Sequence, residues 1–332
     1  MRFLSDAIRT RARKVCAFLA VTATLCVMAI VAANYPWDVD APLSGKELEE
    51  SREYYAEAYQ QTAPERQPAS EYETKYLQVA TSAAASEHIE ERVRSFADQY
   101  GLRQKPVLDV GSGRGYLQDI VEDYTGLDIA PSVRRFYHKK FVLASATAMP
   151  FADDTFDGLW SIWVLEHVPN PEQALRECRR VTRDGGVMLL LPAWNCTSWA
   201  ADGYEVRPYS DFGFAGKIIK ATIPVRSSHR FRILTRLSDR LIRYVASCFG
   251  GPTTLHYQRL TPNFKEYWQP DSDAVNSVDR HEVMLWFQSR GDECLNCDGA
   301  EGSVLMRRQP ALIIRVHKDR RATPATSTAS IR

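Results

Sequence analysis

The sequence predicts an α/β protein built on a doubly wound, mostly parallel sheet. Short apolar runs recur between about residues 106 and 191, most of them ended by Gly or Pro, and stretches with helical spacing alternate with them. The runs lack polar alternation, the pattern of strands buried on both faces. A much longer uncharged run near the N-terminus belongs to neither pattern.

That run comes first in the chain. Arg2, Arg9, Arg11, Arg13 and Lys14, opposed only by Asp6, form a basic head, and no charge occurs from Val15 to Ala33. As a helix these residues would extend about 28 Å, close to the roughly 30 Å hydrocarbon core of a bilayer. An uncleaved transmembrane anchor is the expectation. A cleaved secretory signal, cut after Val31-Ala32-Ala33, is the rival, although the run exceeds the usual apolar region of about 7–15 residues. Pro36 and Trp37 mark a membrane interface. Asp38, Asp40, Glu47, Glu49, Glu50 and Glu53 then outnumber Lys46 and Arg52. The positive-inside rule accordingly leaves the head in the cytoplasm and translocates the remainder.

Helical spacing returns from about Gly45 to Tyr59 and from Ser82 to Tyr100, where Ile89, Val93 and Phe96 share a face. Thr62 to Ser70 is a polar connector. Strands are expected at Pro106–Val110, Gly126–Ile129, Phe141–Ala144, Gly158–Val164 and Val187–Leu191. Pro171 to Thr182 is a helix, with Pro171 in its first turn. From Trp194 to about Asp279 the alternation stops. A helix at Arg280–Ser289, a short strand at Glu293–Leu295 and another at Ala311–Val316 follow. Asp319 to Arg332 has the composition of a disordered tail.

The chain of 332 residues has 45% hydrophobic and 25% charged residues, which excludes disordered and collagen-like classes. Its net charge of +1 supplies no bulk field for a polyanion, and no nucleic-acid partner is expected.

The first strand runs into Asp109-Val110-Gly111-Ser112-Gly113-Arg114-Gly115, placed to open a helix where a doubly wound fold binds nucleotides. A dinucleotide loop would space its glycines Gly-x-Gly-x-x-Gly. Here the spacing is Gly-x-Gly-x-Gly behind an acid, which repels a pyrophosphate and disfavours a nicotinamide oxidoreductase. A cationic or zwitterionic ligand suits it better.

With this loop in view, the chain resembles the class I S-adenosylmethionine-dependent methyltransferases, in the branch acting on small molecules, quinones and lipids. The resemblance covers about Ser82 to Lys318 and rests on VLDVGSGRG, GLDIAPS, AMPFADDTFD, WVLEHVPNP and RVTRDGG in the family's order. It implies a Rossmann-like, seven-stranded sheet and S-adenosyl-L-methionine as cofactor. It further implies that Asp109, Gly111, Gly113 and Gly115 cradle the methionine part, that Asp128 takes both ribose hydroxyls, and that Ile129 packs on adenine. Where the family usually has an acid and a small residue after the third strand, this chain has Ser145-Ala146. The backbone contact to adenine can survive there, while the carboxylate contact becomes a weaker hydroxyl one. Ser161 is the implied cofactor neighbour on the fourth strand, near Asp157, Trp163 and Glu166. His167 has two readings: a general base, or a side chain that satisfies a backbone carbonyl and shapes its loop. No metal site is expected.

On this reading the chain divides into a basic cytoplasmic head (1–14), an anchor (15–33), a linker with an N-terminal lid helix (34–80), a cofactor-binding core (81–193), a substrate-capping insertion (194–279), completing elements (280–318) and a tail (319–332). The insertion holds Trp194, Trp199, Tyr204, Tyr209, Phe212 and Phe214. It continues with a helix from Arg230 to Phe249 that carries an apolar stripe (Leu234, Leu237, Leu241, Val245) and a basic one (Arg232, Arg236, Arg240, Arg243). Such a helix either packs its apolar side on the sheet or lies among anionic headgroups. Polar and aromatic residues from His256 to His281 would suit a sugar or polyol, and equally ordinary lid packing. Cys294-x-x-Cys297 is a poor metal or redox pair, and Asn195-Cys196-Thr197 is taken as a chance glycosylation pattern.

The expected function is methyl transfer to an O, N or C nucleophile of a small-molecule, lipid, quinone or glycan-like acceptor by a single-pass membrane enzyme. The competing expectation is a non-catalytic, membrane-tethered methyltransferase-like module. Because the cofactor is made inside the cell, the catalytic domain is expected to face the cytoplasm, against the charge signal.

Overall fold

The computed structural model describes residues 2–33, 38–39, 45–59, 76–297 and 311–318. The interface pair Pro36-Trp37, the acid Asp40, the connector Thr62–Ser70 and the tail 319–332 lie outside them.

The core is a seven-stranded sheet of β1 (Val107–Val110), β2 (Tyr124–Asp128), β3 (Lys140–Leu143), β4 (Phe156–Ile162), β5 (Thr182–Leu191), β6 (Glu293–Cys294) and β7 (Leu312–Arg315). The spatial order is β3-β2-β1-β4-β5-β7-β6. The first five strands pair in parallel, β7 enters antiparallel between β5 and β6, and chain order reverses at β1 and β4. This is the doubly wound sheet the alternation predicts, and it opens a crevice at the carboxyl ends of β1 and β4.

Period-two alternation divides the core between the two faces. Leu108, Val110, Leu127, Leu159, Met188, Leu190, Leu312 and Ile314 face one side. There they meet α5 (Pro171–Val181), through Leu175 and Cys178, and α8 (Arg280–Gln288), through Val283 and Trp286. Val107, Tyr124, Trp160, Val187, Leu189 and Leu191 face the other. Val93 and Phe96 of α4 (Ile89–Gln99) cover them. Neighbouring residues thus serve opposite layers, which is why the strand sequences show no polar alternation.

Two local expectations are corrected. Residues 111–123 form successive turns and no α-helix follows the glycine loop. The left-handed φ values of Gly111, Gly113 and Gly115 (70°, 50° and 71°) are incompatible with helix, and the few residues left must cross to the next parallel strand. The single helix expected at Ser82–Tyr100 is two, α3 (Tyr76–Ser86) and α4, broken at His88, whose φ of 52° is left-handed.

Outside the core, α1 (Arg2–Ala33) contains an apolar window, Arg11–Ala29, long enough to cross a membrane and wholly unburied. α2 (Gly45–Ala58) lies over the crevice. The insertion supplies α6 (Phe214–Arg226) and α7 (His229–Cys248), against which α1 packs. A small antiparallel sheet joins Asp38–Val39, His256–Arg259 and Asn276–Val278.

α7 inverts the packing that its sequence first allows. Its Arg236, Arg240 and Arg243 face inward: Arg240 donates to both carboxylate oxygens of Asp279 at 3.0 and 2.7 Å, and Arg243 pairs with Glu282 at 3.0 Å. Its apolar stripe does not pack on the sheet, since Leu234, Leu241 and Val245 are exposed. The reason is electrostatic. α8 presents Asp279 as its N-cap and Glu282 in its first turn, both buried, and each requires a cation. Cys294 and Cys297 are joined in a disulfide at the outer edge of the sheet.

Candidate active site

The crevice at the ends of β1, β2 and β4 holds a cavity of about 650 Å³, counting its open mouth. Gly111, Leu127, Asp128 and Ile129 form its floor, Ser145, Ala146 and Thr147 one wall, and Val164, His167 and Val168 another. Tyr55 of α2 and Tyr59 just past its end, with Tyr76 of α3, form the roof. No Lys or Arg is among the described lining residues.

The glycine loop is fixed from below. Gly111 and Ser112 donate backbone N–H groups to the Leu127 carbonyl at 2.7 and 3.0 Å. Tyr137 donates its hydroxyl to the Gly113 carbonyl at 2.9 Å. A Cβ on Gly111 would stand 2.2 Å from the Val164 side chain, so that position needs glycine for close packing as well as for its positive φ. Arg114 donates to the Tyr59 carbonyl at 2.7 Å and ties the roof helix to the loop.

Asp128 ends β2 with its side chain buried at the cavity. Its two oxygens accept from the Gly113 and Ala130 amides, each at 2.9 Å. Burial raises its pKa, and those amide bonds oppose the rise. Asp109 lies deeper, outside the lining, and accepts from the Tyr124 hydroxyl at 2.7 Å. Burial lifts its carboxyl to about 7. Gly113, Gly115 and Ser161 likewise lie outside the lining, with Ser161 buried on β4 opposite Val110. Of the sequence-expected residues, the cavity therefore gathers Gly111, Asp128, Ile129, Ser145, Ala146 and His167. The Ser145 hydroxyl accepts from the Thr147 amide at 3.2 Å and lies 2.8 Å from the Thr147 hydroxyl, so it is engaged in its own turn.

His167 sits on a short 3₁₀ turn, Leu165–His167, after β4. The buried side-chain amide of Asn276 pins that turn by donating to the Leu165 and Val168 carbonyls at 2.9 and 2.7 Å. Glu166 accepts from the Ala193 amide at 3.0 Å. His167 Nδ1 lies 3.4 Å from the Asp273 carbonyl oxygen and 3.5 Å from its carboxylate. Tyr55 donates to that same carboxylate oxygen at 2.8 Å. Its other oxygen, Oδ1, is buried without a hydrogen-bond partner among the described residues. Burial alone would lower the His167 pKa, yet Asp273, Glu166 and Asp271 together raise it above the ordinary value. Burial drives Glu166 up to about 7.

Sequence reasoning placed His167 at this edge and missed its partner. Asp273 lies more than a hundred residues further on, in the insertion, and reaches the site only because the small sheet returns there. The roof tyrosines were also missed. Tyr55 in the last turn of α2 and Tyr59 just past its end are four residues apart, which is the signal that would have found them.

The chemistry of the cavity is anionic and aromatic. The buried Asp128 carboxylate and the tyrosine faces favour a cationic or zwitterionic guest, and apolar Ile129, Ala146 and Val168 leave room for a flat ring. A ligand with several phosphates would find no Lys or Arg cation among the described lining residues.

Comparison with known proteins follows the same line. Residues 108–190 match the family described as "Methyltransferase domain". The chain is 30% identical over 170 residues to malonyl-[acyl-carrier protein] O-methyltransferase 1 of Coxiella burnetii, covering 47% of this chain and 60% of that protein. It is 29% identical over 113 residues to a sterol 4-C-methyltransferase of Caenorhabditis elegans, covering 30% and 34%. The chain thus spans at most 60% of the length of these curated relatives. A crystal structure of a putative sarcosine dimethylglycine methyltransferase from Galdieria sulphuraria shares 20% identity over 47% of this chain and 66% of that one, with a TM-score of 0.34.

Proposed function

The chain carries a domain of the class I S-adenosylmethionine-dependent methyltransferase family, and from that premise we propose that it is a membrane-anchored enzyme that methylates an O, N or C nucleophile of a small-molecule or lipid-like acceptor. The observation that carries the reading is the juxtaposition, in one cavity, of the Gly111 loop and Asp128 with His167 backed by Asp273.

The residues fit the cofactor. A cavity with no Lys or Arg among its described lining residues, floored by a left-handed glycine and a buried carboxylate, suits a sulfonium zwitterion with a ribose. Asp128 would hold the ribose hydroxyls, Ile129 and Ala146 the adenine, and the loop from Gly111 the methionine part. When bound, S-adenosylmethionine would supply an electrophilic methyl group to the acceptor, with its sulfur as the leaving group. The protein's tasks are alignment and proton removal. The roof of Tyr55, Tyr59 and Tyr76 excludes water from the line of attack. Asp273 beside Nδ1 favours the proton there and leaves Nε2, 3.8 Å from Glu166 Oε1, as the basic nitrogen that would take the proton of a hydroxyl or ammonium acceptor.

Similarity to proteins named for acyl-carrier and sterol acceptors supports a small-molecule or lipid-like acceptor. The apolar window of α1 supports membrane attachment; the place of cofactor synthesis favours a cytoplasm-facing domain, whereas the Cys294–Cys297 disulfide stands with the charge signal for the opposite face. The competing reading, a non-catalytic binding module, has the inward-turned Ser145 hydroxyl on its side.

Calorimetry of the full chain in nanodiscs with S-adenosylmethionine separates the two. Binding is expected, and Asp128→Ala should weaken it by at least ~1 kcal/mol, about fivefold. No heat of binding at millimolar cofactor would overturn the enzyme reading, and unchanged affinity in Asp128→Ala would overturn the ribose assignment.

A further inference from the structure

A helix on the surface of a water-soluble protein turns apolar side chains inward and charges outward. α7 does the reverse. Arg240 is 6% exposed, and it and Arg236 and Arg243 are directed at Asp279 and Glu282 of α8. Leu241, Ile242, Val245 and, just past the helix end, Phe249 project outward, with Phe249 86% exposed. α6, which packs against α7, adds Phe214 (82% exposed), Ile218 and Val225. An outward apolar surface spread over two neighbouring helices marks a binding face.

From this inversion and from the position of α1 we infer that the α6–α7 hairpin is seated in the lipid surface, with the outward apolar side chains of α7 in the acyl boundary of the bilayer. Continuity with α1 identifies lipid as the occupant. The unburied apolar window Arg11–Ala29 belongs to a helix that packs against α7. Asp38 follows Ala33 by five residues, at most about 18 Å of extended chain. Val39 and Asp38 pair with His256 and Tyr257, only a short connection beyond the end of α7 at Cys248. The chain that leaves α1 is thus paired with the strand that follows α7. Lys217 and Arg230, exposed on the same hairpin, are the cations that would meet headgroup phosphates.

The inference rests on α1 being a membrane anchor, and the test reads the two separately. Cys248 is exposed at the end of α7, Cys178 and Cys196 are buried, and Cys294 is bonded to Cys297. In the full chain carrying Cys16→Ser and Cys26→Ser, an environment-sensitive fluorophore on Cys248 reports the hairpin. The protein is reconstituted in phosphatidylcholine and phosphatidylglycerol vesicles, with or without spin-labelled lipid. The label is expected to shift to the blue, to lose more than half its intensity to spin-labelled lipid and to resist aqueous iodide. The same label on Asp119→Cys, in a chain also carrying Cys248→Ser, should stay aqueous. Adding Val245→Asp and Phe249→Asp should return the Cys248 label to water while flotation with the vesicles, which reads α1, is unchanged. Flotation with an iodide-accessible Cys248 label overturns the hairpin placement alone. A label protected from iodide but untouched by spin-labelled lipid overturns it in favour of a second protein surface. A full chain that does not float overturns the anchor and the hairpin together.

Discussion

At the scale of single residues, the pairing of His167 with Asp273 makes a pH-dependent claim. A base must be neutral to act, and the surrounding carboxylates hold the imidazolium above its ordinary 6.5. The rate kcat/KM should therefore rise with pH through an inflection above 6.5. Asp273→Asn removes the first of the charges that raise it, so the inflection should move to lower pH while a rate remains. His167→Gln should lower kcat by about 10²–10⁴-fold for a hydroxyl or ammonium acceptor. A pH profile that is the same in Asp273→Asn and wild type would show that His167 only shapes its loop. The stability linkage has the matching sign: the raised histidine stabilises the fold below pH 6.5 and loses that contribution as pH rises through its folded value. His167 was legible in the sequence because it follows a strand at the crevice edge. Asp273 was not, since Asp271-Ser272-Asp273 in an aromatic, polar stretch carries no spacing signal that ties it to a residue more than a hundred positions earlier.

At the scale of elements, two contacts hold the site and its cap together. Asn276 satisfies two buried carbonyls of the turn that carries His167. Asn276→Ala orphans both and should cost about 1–3 kcal/mol in urea unfolding, together with a loss of kcat. The second contact joins α7 to α8. Burial would raise the Asp279 carboxyl, but Arg240 and Arg236 pull it down to about 2. Against an ordinary value of 3.8, this contributes roughly 2 kcal/mol that is present above pH 3.8 and lost as pH falls towards 2. Asp279→Asn should flatten that part of the acid limb of stability, and an unchanged limb would contradict the pairing. The α7 stripes were plain in the sequence, but their direction was not. Both stripes have helical period, and only the buried acids of α8 decide which one turns inward. The missing helix after Gly115 has a comparable cause: three glycines at alternate positions were visible, whereas their left-handed φ values follow from loop closure against Leu127.

At the scale of the molecule, the doubly wound parallel sheet was the most legible feature. Five apolar runs, each near a Gly or Pro, leave few arrangements for a parallel sheet, and the observed order places its switch point at the glycine loop. What the sequence could not show is how the N-terminal segment closes the site. α2 brings Tyr55 and Tyr59 over the crevice, and Asp38–Val39 completes the small sheet that carries Asp273 to His167. The same segment follows the apolar helix, so the roof of the cavity and the proposed anchor are consecutive parts of one chain. An acceptor drawn from the membrane fits that arrangement.

The most direct measurement is transfer of a labelled methyl group from S-adenosylmethionine by the full chain in nanodiscs to fractionated membrane lipids, quinones and glycans from the source cell. The account predicts label in a lipid-like or small-molecule fraction, lost with Asp128→Ala and pH-shifted by Asp273→Asn. Label in none of these fractions, from protein that calorimetry shows to bind no cofactor, would contradict it.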